Sequence, residues 1–314
     1  MMDRNCRKIP IIFFIFLIIF LNPFFDFEVS GFALIESAGN NQSGLLSKVF
    51  IPEASGTNVI RDPVVEIDAS NTSDGYLMVR YLGENHKVKL IIRTPDKVQF
   101  VYNLTAGAGY EVFNLSAGGG RYTIGVYENI EKDQYAAAFT TSLDVVLKND
   151  FMPFLYPNQY VNYDADSSLI AIARELTIGA VTEIDQVKEI YTWVIQNFSY
   201  DPVLAKNVKS GYLPDLESFL KVRKGICFDY AALMTAMMRS LGVPTKLVVG
   251  YSGSIYHAWI SIYVKETGWI NDIIFFDGIS WKLMDPTFAS SGKSSPAIMK
   301  YIGNGKNYRE KFVY

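Results

Sequence analysis

The sequence predicts an α+β protein, with an N-terminal antiparallel β-sandwich followed by a domain of helices and antiparallel strands. From about Ser47 to Lys148, short runs rich in Val, Ile, Tyr and Phe alternate with period two, and Gly, Asn, Asp or Pro clusters separate them. That is the spacing of a sandwich. After Asp150 the apolar spacing becomes helical, and from Thr245 it returns to strand-like alternation. The composition supports two cores, since 49% of the 314 residues are hydrophobic, 14% aromatic and 19% charged. A formal net charge of -3 lacks the basic footprint of nucleic-acid binding, so no nucleic-acid partner is expected.

The chain begins with a leader. Arg4, Arg7 and Lys8 precede an apolar run from Ile9 to Leu21, which is too short for a membrane span and fits a signal peptide. Gly31-Phe32-Ala33 places small residues where a signal peptidase inspects them, so residues 1–33 are read as a signal peptide cleaved after Ala33. An uncleaved anchor is the alternative. Cys6 precedes the apolar run, so export without a lipid anchor is expected, to a secreted or cell-surface location without stable membrane insertion. Residues 34–46 are a linker. The chain has two Cys (Cys6, Cys227) and two His (His86, His257), and loss of Cys6 excludes an internal disulfide and a four-ligand Cys/His zinc site.

Residues 47–150 read as an Ig-like β-sandwich with strands near Val64 to Asp68, Tyr76 to Tyr81, Lys87 to Ile92, Val98 to Tyr102, Tyr110 to Leu115, Arg121 to Tyr127 and Ala137 to Leu147. Two Gly-rich stretches, from Tyr102 and from Phe113, repeat at an interval of eleven. Both lead into strands, so they read as turns and not as phosphate loops. His86 sits in a polar turn and reads as a surface residue. Sequons occur at Asn41, Asn71, Asn103, Asn114 and Asn197.

Residues 151–165 form an aromatic-rich connection with two prolines, and residues 166–314 form the second domain. Asp166 or Ser167 caps a helix carrying Leu169, Ile172, Ala173 and Leu176. Thr182 caps another with Val187, Ile190, Tyr191 and Val194, ending near Asn197. A third begins at Cys227, after Gly225 permits a tight turn. Its apolar face is Cys227, Tyr230, Ala231, Met234, Met237, Met238 and Leu241, and Gly242 and Pro244 end it.

A cysteine at a helix N-terminus meets unpaired amides and a favourable dipole, and Arg223 and Lys224 are near in sequence. This is a nucleophile's setting, although a lone Cys is otherwise a buried, inert residue. Thr245 to Tyr251 and Tyr256 to Val264 read as strands, with His257, Trp259, Ser261 and Tyr263 on one side of the latter. Ser280 to Asp285 reads as a further strand, and antiparallel pairing would bring Asp285 beside His257. Cys227, His257 and Asp285 then supply a nucleophile, a base and an orienting carboxylate. Taken singly, His257 reads equally as a core residue and Asp285 as an ordinary strand-end carboxylate.

The run from Arg223 through Cys227 to Leu233, the continuation from Arg239 to Tyr251, His257-Ala-Trp and Asp285-Pro-Thr closely resemble the core of the transglutaminase-like superfamily. The resemblance covers about Ser168 to Ala289, with Trp193 and Tyr200-Asp201 matching the leading helix. It implies a papain-like fold with Cys227 as nucleophile, His257 as general base and Asp285 orienting the imidazole. Between His257 and Asp285 lie 27 residues, longer than the family's compact hairpin, and Gly268 to Gly278 reads as an insertion. No calcium-binding loop is recognisable, so neither a metal nor another cofactor is expected.

The function expected is acyl transfer through a thioester at Cys227, with an amine or water as acceptor. Protein or cell-wall peptide substrates follow from export. The alternative is an extracellular binding protein that uses the β-sandwich, with the second domain as scaffold. The sequence carries no signature of oligomeric state.

Overall fold

The computed structural model describes residues 48–265, 268–270, 274–276, 281–283 and 308–314. The leader with Cys6, the linker 34–46 and Asp285 lie outside these residues. No helix among the described residues is long and apolar enough to cross a membrane.

Eight strands come first, namely β1 (Val59–Arg61), β2 (Val65–Asp68), β3 (Tyr76–Tyr81), β4 (Val88–Arg93), β5 (Gln99–Leu104), β6 (Glu111–Asn114), β7 (Gly120–Glu131) and β8 (Gln134–Val145). They make two antiparallel sheets, ordered β1-β2-β3-β6 and β5-β4-β7-β8. All seven runs read as strands from the sequence are strands. Alternation decides which face is buried: Val88, Leu90 and Ile92 of β4 and Phe100, Tyr102 and Leu104 of β5 are inside. Tyr102 of β5 meets Phe113 of β6 edge-on, ring centroids 4.8 Å apart, so residues of the two sheets touch. The eleven-residue repeat also has a physical cause. Gly107 and Gly118 occupy corresponding turns with φ of 74° and 81°, a region that favours glycine. His86 is exposed in a turn, as expected.

Residues after Asp150 pack closely despite their irregular backbone. Phe151 lies 4.1 Å from the Tyr263 ring, and Tyr156 lies 4.6 Å from Tyr76. Helix α1 (Ser168–Leu176) starts after Ser167. Helix α2 (Glu183–Asn197) is capped by Thr182, whose hydroxyl accepts from Asp185 N while Asp185 accepts from Thr182 N. Two-residue β9 (Ser199–Tyr200) follows, then α3 (Pro202–Asn207), α4 (Leu216–Val222) and β10 (Lys224–Gly225), which pairs in parallel with β9.

Helix α5 (Cys227–Ser240) lies at the centre of this half. The sequence reading gave it one apolar face, but every residue from Asp229 to Ser240 is buried. The reason is its neighbours: α1, α2 and α4 pack against it, as do β11 (Thr245–Ser252) and β12 (Ile255–Val264). A helix covered all round needs small and apolar residues all round. Its C-terminus is as expected, with Gly242 at φ 76° and Val243 N donating to Met238 O at 3.1 Å.

The third sheet is ordered β13-β12-β11-β16, with β13 (Gly268–Ile270) and β16 (Tyr308–Val313) at its edges. Strand β14 (Ile274–Phe276) pairs with β15 (Trp281–Leu283) in a separate two-stranded ribbon. Among the described residues β12 has β11 and β13 as its neighbours, β13 only along Ile262–Val264, and the expected placement of Asp285 beside His257 falls outside those residues. The presumed insertion carries Trp269, Ile270, Ile274, Phe275 and Phe276. Such residues favour strands, and a partner close in sequence costs little entropy to reach.

Candidate active site

The start of α5 is built from a glycine, a carboxylate and a phenol. Arg223 closes α4 in the left-handed region at φ 54°, so the sharp turn falls there and not at Gly225. What Gly225 supplies is room: a Cβ would stand 2.6 Å from Asp229 Oδ2 and 2.7 Å from the Phe219 ring. Its carbonyl accepts from Asp201 N at 2.8 Å, tying the segment to β9. Asp229, one turn into α5, accepts from Ile226 N at 2.8 Å and from the Tyr212 hydroxyl at 2.7 Å. Burial raises the Asp229 pKa above its ordinary value, against the lowering by these two hydrogen bonds. The first-turn amides of Cys227 and Phe228 have no acceptor within the helix.

His257 is held by a hairpin. Strands β11 and β12 pair from Thr245↔Ile262 to Ser252↔Ile255, which sets His257 opposite Gly250. A side chain at Gly250 would run into Arg309 O of β16 and stand 2.9 Å from the Trp259 ring. The glycine therefore lets β16 and Trp259 of β12 close on β11, the strand paired with the one that carries the histidine. His257 is 5% exposed and Cys227 is half-buried with a free thiol.

Both line one cavity of about 650 Å³. Its wall includes Ile226 and Phe228 at the helix start, with Tyr160, Tyr256 and Tyr314 on another side. The aromatic wall is continuous, with Tyr160 and Tyr314 ring centroids 4.7 Å apart and Tyr160 and Phe228 5.3 Å apart. Burial pushes the Tyr160 pKa up to about 12, against a hydrogen bond with Tyr314, so its phenol is neutral at ordinary pH. The Tyr256 pKa is also raised, by burial first and then by the charges of Tyr251 and Cys227, which puts this phenol within electrostatic reach of the thiol. Lys206 of α3, with Lys209 and Ser210 between α3 and α4, adds a polar side.

The structure thus brings Cys227 and His257 to one cavity, while Asp285 lies outside the described residues. The tyrosines of the wall and the Asp229–Tyr212 pair were missed in the sequence. An acidic residue three positions after a helix start is a capping signal and could have found Asp229. Nothing local marks Tyr160 or Tyr314, which reach the cavity from distant parts of the chain.

The match to known proteins falls on the same segment. Residues 170–271 match the family described as Transglutaminase-like superfamily. A human kyphoscoliosis peptidase is 27% identical over 139 residues, covering 40% of this chain and 19% of that protein. A protein-glutamine gamma-glutamyltransferase of Pseudomonas aeruginosa is 26% identical over 103 residues, covering 27% of this chain and 15% of that protein. The chain therefore spans less than a fifth of the length of these curated relatives. Among solved structures, a putative cysteine protease from Cytophaga hutchinsonii aligns at 17% identity and TM-score 0.38, covering 82% of this chain and 74% of the other. Residues 170–271, which hold Cys227 and His257, are thus the part of the chain that is similar to the transglutaminase-like superfamily.

Proposed function

We propose that the protein is an exported, cysteine-dependent acyl-transfer enzyme of papain-like fold that acts on amide or peptide bonds of protein or cell-wall peptide substrates. The observation that carries this is the shared cavity: a thiol at a helix N-terminus and a buried histidine on the adjacent sheet line the same space. In this reading residues 47–150 are a β-sandwich, 151–165 connect it to the catalytic domain 166–314, and a signal peptide at 1–33 directs export.

The chemistry follows from the residues. His257 takes the Cys227 proton, and the thiolate adds to the carbonyl carbon of the scissile amide. The negative oxygen that forms faces the first-turn amides, with the Cys227 N–H as its donor. Collapse breaks the C–N bond, His257 returns the proton to the departing nitrogen, and a thioester remains. An amine or water, deprotonated by His257, then attacks the thioester and releases the thiol. Asp285 is proposed to orient His257.

The test needs no substrate. The rate of Cys227 alkylation is measured against pH in residues 34–314 and in His257→Ala. Thiolate present well below the free-cysteine pKa of about 8.5, and lost in the variant, is the expected result. A titration indifferent to His257 would overturn the catalytic reading and favour a binding role for the β-sandwich.

A further inference from the structure

The cavity at Cys227 continues beyond its tyrosines. A second basin of about 260 Å³ shares Tyr160, Ser210, Gly211, Tyr256 and Tyr314 with it, so the two form one cleft. Lys89 of β4 and Gln99, Val101 and Asn103 of β5 line the second basin. The cleft therefore runs from the start of α5 to the N-terminal sheets. The loop between α3 and α4 bridges them: Gly211, at φ 83°, lies against the Asn103 side chain with no room for a Cβ.

Among the described residues strand β5 is an edge strand, first in the order β5-β4-β7-β8. The direction of its free groups can be worked out. Thr94 N donates to Val98 O at 3.0 Å, in the same register that pairs Ile92 with Phe100 and Leu90 with Tyr102. Even-numbered residues of β5 therefore exchange bonds with β4, and Gln99, Val101 and Asn103 turn their N–H and C=O groups to the open side. The Asn103 carbonyl already accepts from Gln159 Nε2 at 2.7 Å. The main-chain groups of Gln99 and Val101 remain, and Val101 is 45% exposed. A row of such groups at strand spacing matches the backbone of an extended chain. Charge narrows the occupant further, because Lys89, Lys206 and Lys209 line the cleft while no Asp or Glu does among the described residues.

We propose that the free edge of β5 receives the acyl-donor polypeptide as an added strand, with Gln99 and Val101 pairing to its backbone and the three lysines favouring acidic side chains. This rests on the catalytic reading of the Cys227 end of the cleft. The N-terminal half then supplies part of the substrate site.

The probe is a fluorescein-labelled ten-residue peptide with a central glutamine flanked by glutamates, compared with its lysine counterpart by fluorescence anisotropy on the full-length protein. The acidic peptide is expected to bind more tightly. Val101→Pro removes one outward N–H and no bond to β4, and should weaken binding about tenfold, whereas Val101→Thr should not. Lys89→Glu should narrow the preference between the two peptides, and it serves if the proline variant loses its thermal transition. Alkylation of Cys227 should be unchanged in Val101→Pro, which separates this proposal from the catalytic one. Equal affinity for both peptides, or a Lys89→Glu variant with the preference of the parent, would overturn it, as would undiminished binding by a folded Val101→Pro variant.

Discussion

The two ends of α5 are held by opposite means. At its N-terminus, Cys227 and Phe228 remain half-buried beside a cavity, and a single carboxylate, Asp229, ties the helix start to Ile226 and to Tyr212. At its C-terminus the Arg239 guanidinium is completely buried and donates to three carbonyls, Thr245 O at 2.9 Å, Tyr156 O at 2.6 Å and Tyr314 O at 2.8 Å. Burial lowers its pKa to about 10, which still leaves it charged at neutral pH. One planar cation thus joins the helix to the aromatic connection, to β11 and to the residue following β16. The difference teaches where rigidity is placed: the far end is fixed to the rest of the molecule, and the Cys227 end is held with few atoms and left open.

If that division is right, the largest stability loss comes from the closed end. Arg239→Ala should cost about 3–5 kcal/mol, because it leaves buried carbonyls without donors as well as a cavity. Arg239→Lys should recover only part of this, since an ammonium cannot reproduce the planar fork. Urea denaturation measures both, and equal stability of the alanine variant and the parent would remove the anchor role. Gly225→Ala comes next, at about 1–3 kcal/mol, since a methyl group must displace the Asp229 carboxylate or the Phe219 ring. It should also alter the rate of Cys227 alkylation, which Arg239→Lys should leave near that of the parent.

The sequence made the outlines of this comparison visible but not its contacts. Period-two alternation located every strand of the N-terminal half but the three-residue β1, and the caps at Ser167, Thr182 and Gly242 bounded three helices. These are local signals carried by neighbouring residues. Helices α3 (Pro202–Asn207) and α4 (Leu216–Val222) are too short for a helical period to stand out. The burial of α5 on every side was hidden because a central helix shows no amphipathic stripe. Of the candidate site, Cys227 and His257 were legible from motif and element ends. Tyr160, Tyr256 and Tyr314 were not, since the aromatic wall exists only once three distant segments are packed together.

The smaller effects belong to the open end, and their pH dependence has a definite sign. The Asp229 pKa in the folded protein lies above its ordinary 3.8. A raised carboxyl pKa contributes stability that is full below the unfolded value and is lost as pH rises through the folded one. Asp229→Asn removes this loss, so the stability difference between variant and parent should move in the variant's favour as pH rises above about 3.8 and then level off. At the acid end, where the parent carboxyl is itself protonated and keeps one carbonyl oxygen as acceptor for Ile226 N or the Tyr212 hydroxyl, the variant should lie within about 1 kcal/mol of the parent. Tyr212→Phe should cost about 0.5–1.5 kcal/mol. That hydroxyl lowers the Asp229 pKa, so its removal should raise the pKa further and extend the pH range over which stability declines. Denaturation midpoints of the three proteins between pH 3 and 7 decide the matter. A narrower range in Tyr212→Phe would mean that the phenol is not what stabilises the carboxylate, and that the open end is held by the Ile226 amide alone.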